Sequence, residues 1–218
     1  MKFSRSLLAA LLVAFSALCS QAASDESGLA DCRWKVGLRS NILYDLLGVP
    51  NAGAEITVSP SISVKAGVMY AWWSSRSRNR FWRVYGIDVG AQWRFGAQRR
   101  NLFSGHHAGV YLLGLGYDFE FGGKGEMAGK PGRNLWLRMQ WGAGVEYGYT
   151  LPVGRRLSFD FALGIGYLGG TYHTYRPADG CYVWESTRRR NYWGPTKAEV
   201  SLIWLIGADN FNRKGGKR

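Results

Sequence analysis

Few side chains in this sequence could do covalent chemistry, and they are scattered. Three histidines (His106, His107, His173) and two serines (Ser104, Ser158) are the candidates for acyl transfer on a lipid. That chemistry needs a histidine touching a nucleophile and oriented by a carboxylate. No serine lies in a nucleophile-elbow pattern, and no His, Cys or carboxylate spacing resembles a ligand set for a metal. The reading is therefore of a non-enzyme with no catalytic residue and no cofactor; a lipid A-modifying enzyme is the alternative. Charge is the denser chemistry. Seven acids (Glu55, Asp88, Asp118, Glu120, Glu146, Asp160, Glu199) and five bases (Arg39, Lys65, Arg94, Arg138, Lys197) recur at alternate positions among apolar residues. Charges removed from water need partners. If these share one enclosed space, they form interlocking ion pairs; a narrow channel lined by charge is the sharper alternative.

The elements that must position them are strands. In LWLRMQWGAGVEYGYTL (135–151), Trp141, Val145, Tyr147 and Tyr149 fall on one side, and Arg138, Gln140, Gly142, Gly144, Glu146 and Gly148 on the other. Period-two segments lie near 35–44, 51–59, 61–73, 81–95, 106–121, 134–151, 156–172 and 195–206, bounded by Gly, Pro, Ser, Asn or charge clusters. Most reach the roughly 9–11 residues a tilted strand needs to cross a bilayer. One face carries sets such as Ile62, Val64, Val68 and Tyr70, or Tyr111, Leu113, Leu115, Tyr117 and Phe119. The other carries the twelve charges and many glycines, among them Gly53, Gly67, Gly90, Gly114, Gly116, Gly144 and Gly164.

A soluble ligand-binding cup also alternates, so the glycines decide which face is inside. A solvated face gains nothing from glycine, which weakens a strand. An interior just wide enough to be filled by side chains needs glycines to make room for Arg and Glu. The pattern predicts an all-β fold: an eight-stranded antiparallel up-and-down transmembrane β-barrel, apolar face to lipid and charges within. Trp and Tyr near segment ends suit interfacial girdles. Connections two and six are tight (Ser59–Pro60 and Pro152–Arg155), whereas three, five and seven are long, as barrels with short periplasmic turns and long external loops require.

Lys2 and Arg5 precede an uncharged run, Ser6 to Leu18, and then CSQAASDES. This is the build of a secretory signal peptide, cleaved after Ala22, or else Ala23, so that Cys19 leaves with it. Residues 1–22 are thus read as leader and 23–218 as one barrel domain in the cell outer membrane. The formal charge of +13 falls by the two leader bases to +11. Basic residues cluster in the predicted external loops: Arg76, Arg78 and Arg80, then Lys124, Lys130 and Arg133, then Arg188, Arg189 and Arg190. Arginine suits bidentate phosphate contacts. The expected partners are outer-membrane lipid and lipopolysaccharide at Arg76, Arg78, Arg80, Arg188, Arg189 and Arg190, with a protein partner through the last loop; nucleic acid is not expected.

The stretches NILYD (41–45), MYAWW (69–73), FWRVYG (81–86), SGHHAG (104–109), YDFEFGG (117–123), GKPG (129–132), EYGYTLP (146–152), DGCYVW (179–184) and GPTKAEVSLIWLIG (194–207) resemble the domain-of-unknown-function family numbered 3575, found mainly in Bacteroidetes. The resemblance spans nearly the whole mature chain and implies a small outer-membrane barrel with no established activity. The sequence departs from many such barrels in ending on ADNFNRKGGKR rather than on an aromatic residue.

The topology puts Cys32 at the periplasmic rim and Cys181 in the last external loop. A hydrocarbon thickness of about 30 Å then separates them, far beyond disulfide reach. Non-reducing peptide mapping is expected to find no Cys32–Cys181 bridge; finding one would overturn the topology.

Overall fold

The computed structural model describes residues 35–95, 103–128, 139–178, 181–207 and 210–212. The predicted leader, Cys32, Lys130, Arg133 and Arg138, and the side chain of Arg76 lie outside the described residues. β-Branched and aromatic residues alternating with small or polar ones favour the pleated backbone. They form β1 (Val36–Asn41), β2 (Asn51–Thr57), β3 (Ile62–Ser75), β4 (Arg80–Phe95), β5 (Gly105–Phe121), β6 (Gly125–Ala128), β7 (Gln140–Pro152), β8 (Leu157–Ala178) and β9 (Cys181–Ile206). All are antiparallel to their neighbours, and eight of them, β1-β2-β3-β4-β5-β7-β8-β9, close into a ring through the β1–β9 pairing. β6 was not expected. It takes the slot between β5 and β8 above the point where β7 begins, pairing Tyr117 with Ala128 and Ala128 with Tyr172.

Where the expected first strand ran to 44, β1 stops at Asn41 and a one-turn helix, α1 (Ile42–Leu46), follows. Asn41 is the reason. Its Oδ1 accepts from the Leu43 N–H at 3.1 Å, capping the helix, and from the Val200 N–H at 3.2 Å, while its Nδ2 donates to the Ala198 carbonyl at 3.2 Å. One amide side chain thus starts α1 and extends the β1–β9 ladder past the end of β1. Asn51 secures the other side: the Asn41 N–H donates to Asn51 Oδ1 at 2.6 Å, and Asn51 Nδ2 donates to the Asn41 carbonyl at 3.0 Å.

The largest difference from expectation is in the last connection. Residues 174–193 were read as an external loop, but β8 continues to Ala178 and β9 begins at Cys181, so this stretch is a long hairpin. Its polar residues alternate over two exposed faces, a pattern that composition alone does not separate from loop. Register shifts at Gly164/Ile165 and Thr174/Tyr175 bend it.

The phase of β5 also differs. Tyr111, Leu113, Leu115, Tyr117 and Phe119 were expected outside; Tyr111, Leu113 and Tyr117 are buried, and Val110 and Leu112 are exposed instead. The segment is apolar on both faces, so alternation could not fix the phase. The glycines opposite do. The Tyr111 ring lies where Cβ atoms on Gly144 and Gly164 would stand, within 2.5 Å and 2.7 Å of its atoms. Gly114 and Gly116, expected inside, face outward and accommodate the rings of Trp141 and Tyr85.

The lower end is closed by Phe103, Ile203 and Leu205, all fully buried. Beneath them the chain after β9 folds back: Asn210 Nδ2 donates to the Val36 carbonyl at 2.8 Å, and Asn212 Nδ2 to the Gly154 carbonyl at 2.8 Å.

A methyl group at Gly144 would also stand 2.5 Å from the Ile165 carbonyl, so backbone must move. Gly144→Ala is expected to lower stability by about 1–3 kcal/mol in urea unfolding, whereas Gly123→Ala, with nothing within 4 Å of the added atom, is expected to be neutral. Equal midpoints for the two would contradict the close packing of Tyr111.

Candidate functional site

Inward positions on all eight of the ring's strands bring ionisable side chains together in the lower half of the interior. Arg39 (β1) sits at the hub: Nη1 is 2.6 Å from Glu55 (β2), and Nη2 is 2.7 Å from Asp160 (β8) and 3.4 Å from Glu199 (β9). Arg94 (β4) reaches the other oxygen of Glu55 at 2.6 Å, and His107 Nε2 (β5) lies 2.7 Å from Asp160. Lys65 (β3) bridges Glu199 and Glu146 (β7), each at 2.7 Å. Lys197 (β9) joins Asp88 (β4) at 3.0 Å, Glu199 at 3.3 Å and Glu146 at 3.4 Å. These contacts link all ten groups into one network, from Asp88 at one end to His107 at the other. Neutral side chains add hydrogen bonds: Ser63 to Glu55, Gln92 to Glu146, and Thr150 to both Arg94 and Asp160.

Nine of the twelve charges singled out in the sequence meet here: Arg39, Glu55, Lys65, Asp88, Arg94, Glu146, Asp160, Lys197 and Glu199. Arg138 lies outside the described residues. Asp118 and Glu120 are a correction: they stand on the opposite parity of β5 from the buried Tyr111, Leu113 and Tyr117 and so outside the network, because that strand runs in the opposite phase to the one expected; Glu120 is nonetheless fully buried. Asp118 pairs with Arg83 at 3.0 Å, and the Arg83 guanidinium lies 4.0 Å from the Phe81 ring centroid and 5.0 Å from that of Trp72. Tyr175, at the bend of the β8–β9 hairpin, donates its hydroxyl to Asp118. Burial first, and then that hydrogen bond, push the Tyr175 pKa upward, so it stays a donor. His107, Gln92, Ser63 and Thr150 were missed as members of the network. Their shared inward parity with Glu146 and Asp160 was the available signal.

Above the charges the interior is apolar and aromatic, built on Val49, Ala71, Val84, Tyr117 and Ala128 with Trp82, Leu115 and Phe119 packed against them. Tyr44 of α1 also packs against this cluster. Between the two layers lies a cavity of about 30 Å³, lined by Arg39, Asn41, Tyr44, Lys65, Asp88 and Glu199 among others. That space suits one or two waters.

The arginines do not form one rim. Because 188–190 is strand, they alternate: Arg190 turns inward, with Nη1 2.7 Å from the Tyr117 hydroxyl and Nη2 2.7 Å from Glu126, while Arg189 turns outward and is exposed. Arg188 shares the parity of Arg190 at the exposed mouth; Arg78 and Arg80 are exposed near the β3–β4 turn. At the hairpin tip, the hydrogen bond from Arg176 to Glu185, at 2.5 Å, lowers the Glu185 pKa.

Of the histidines, His106 faces outward with Nδ1 2.8 Å from the Tyr147 hydroxyl, and His173 Nδ1 is 3.0 Å from the Thr187 hydroxyl. His107 is fully buried, with Nε2 2.7 Å from Asp160. Among the described residues no cluster of His, Cys, Asp and Glu could hold a metal ion.

A family model described as "Protein of unknown function (DUF3575)" matches residues 8–206. The chain belongs to this family. The match runs from within the predicted leader to the end of β9, taking in every member of the network. No curated protein and no solved structure matches the chain.

Removing Arg39 leaves Glu55, Asp160 and Glu199 without their shared partner. Arg39→Leu is expected to cost about 3–5 kcal/mol in chemical unfolding, and Arg39→Lys less, since it keeps the charge but loses the fork. A neutral Arg39→Leu would mean that the network is not closed.

Proposed function

We propose that this member of the family is an exported outer-membrane β-barrel whose interior is plugged by ion pairs, serving a structural and surface-interaction role, with external basic residues contacting lipopolysaccharide. The observation that carries this reading is the outer surface of the ring. Large apolar side chains face out, uncovered by any of the described residues: Leu163 is 70% exposed, Val145 62% and Ile165 61%. Such a surface in water would be an aggregation site; in hydrocarbon it is the favourable arrangement.

The aromatics bound that band. Along its lower edge Trp93, Phe95, His106 and Tyr149 make a chain of ring contacts, with centroids 5.1, 6.0 and 4.7 Å apart. Along its upper edge Tyr70 stacks with Trp72 at 6.2 Å, and the tilted rings of Tyr167 and Trp193 lie 5.2 Å apart. Aliphatic side chains such as Val89, Val110, Leu112 and Val145 lie between. From Trp141 to Tyr149 on β7 is about 27 Å of strand, or about 20 Å once a tilt near 40° is allowed for. The apolar band of such barrels is about 25 Å tall.

Inside, the charges are mutually satisfied and the lower end is sealed, which argues for a plug over a conducting path. Purified protein reconstituted in planar bilayers, with insertion verified by protease protection, is expected to remain silent. Stepwise single-channel currents would replace the plug with a channel. Fractionation is expected to find the protein with the outer membrane; recovery in the soluble periplasm, folded without detergent, would overturn the proposal.

A further inference from the structure

We infer that Glu120 is a proton-operated catch: protonated, it holds the tip of the β8–β9 hairpin down on β4 and β5, and on losing its proton to water it lets the tip go. This needs the fold alone and not the membrane placement proposed above. Glu120 is fully buried, yet neither of its carboxylate oxygens has a hydrogen-bond partner. Strand pairing puts Asp118 level with Trp72 at the upper aromatic edge, and Glu120 stands two residues farther out, clear of the apolar band.

The hairpin tip lies against it. Gly125 of β6 pairs with both Glu120 and Tyr175, and the Tyr175 ring occupies the space where a Gly125 side chain would stand. From there the Tyr175 hydroxyl donates to Asp118, which Arg83 holds at 3.0 Å. Farther along the tip, the Tyr182 ring is 5.6 Å from that of Tyr175 and 5.5 Å from that of Phe81, the β4 residue paired with Glu120. The groups that face Glu120 are therefore Arg83 from β4, Asp118 from β5, Tyr175 from β8 and, through Phe81, Tyr182 from β9. On this parity β6 adds only Gly125 and Met127, and His173 stands one rung lower on β8, against Trp184. Lys124 in the adjoining turn is 3.5 Å from Glu185, while Glu126 and Arg190 pair on the mouth-facing parity.

An ionised Glu120 in this setting is a buried charge without compensation. Protonated, its O–H can donate to the Tyr175 oxygen, whose own proton goes to Asp118. The result is one chain from Glu120 through Tyr175 and Asp118 to Arg83, tying the hairpin to two strands. Burial first, and then the Asp118 charge, push the Glu120 pKa upward, outweighing the opposing pull of Tyr175 and Arg83. A solvated glutamate titrates near about 4.3, so the docked tip holds the proton more tightly than the released one. Docking is firmest below that value and weakens as pH rises through the raised docked pKa, by up to about ten-fold per pH unit between the two.

The test is double electron–electron resonance on the full mature chain carrying Cys32→Ser and Ser77→Cys, in micelles or in buffer, whichever keeps it folded. Labels go on exposed Cys181 at the hairpin tip and on exposed position 77 beside Asn79, whose Oδ1 is 3.4 Å from the Tyr182 hydroxyl. A short distance is expected to dominate in acid, with a longer one growing as pH rises. Glu120→Gln, which keeps the neutral form, is expected to hold the short distance throughout. Infrared spectroscopy of the unmodified chain gives the second reading: a protonated-carboxyl band that persists above the range in which exposed carboxyls ionise, and fades together with the short distance. A distance distribution that ignores pH, a Glu120→Gln chain that titrates as the wild type does, or the lack of such a band would each overturn the inference.

Discussion

A network of buried charges that must all be paired is the constraint on which this structure depends. Four cations of Lys and Arg type and five carboxylates occupy the lower interior, most with almost no contact with solvent. Removing such ions from water costs several kcal/mol each unless geometry and hydrogen bonds compensate. Compensation here is possible only if the ring closes, because Arg39 on β1 must reach Asp160 on β8 and Lys65 on β3 must reach Glu146 on β7. Strand order, register and charge pairing are therefore one condition. A slip of one residue in any of these strands would turn its ion outward and leave its partners alone.

That condition propagates outward. Glycines admit the bulky inward groups: Tyr111 lies against Gly144 and Gly164, and the His107 ring against Gly148. With the interior filled, every large apolar residue of opposite parity is forced to the exterior, which produces the uncovered belt. Above the belt the ring changes character. β1 and β2 end early, with Asn41 and Asn51 stitching their ends together and α1 beside β9, while β8 and β9 continue as a hairpin. The molecule thus has a rigid, paired lower half and an upper half in which one hairpin projects.

Much of the fold was legible because alternation and inside volume were both written in the sequence. Glu55, Lys65, Glu146 and Asp160 stand singly among apolar neighbours, so parity identifies their side unambiguously. β5 was not legible in that way. In GVYLLGLGYDFEF both parities are apolar until Asp118, and only the positions of glycines on β7 and β8, three-dimensional neighbours of Tyr111, decide the phase. Asp118 and Glu120 were misplaced for the same reason. The hairpin was missed because a strand in water on both faces looks like a loop in composition. The split of Arg188–Arg190 over two faces followed from that miss. His107 entered the network through Asp160, a contact between strands that no linear spacing displays.

The most direct test of the account is site-directed spin labelling across one strand, in a chain with Cys32 and Cys181 changed to serine. Labels at Val145, Tyr147 and Leu163, in lipid vesicles, are predicted to collide readily with membrane-dissolved oxygen and poorly with a water-soluble nickel chelate. Labels on the same three residues that favour the nickel chelate would mean that water, not hydrocarbon, covers the belt, and the account would fail at its foundation.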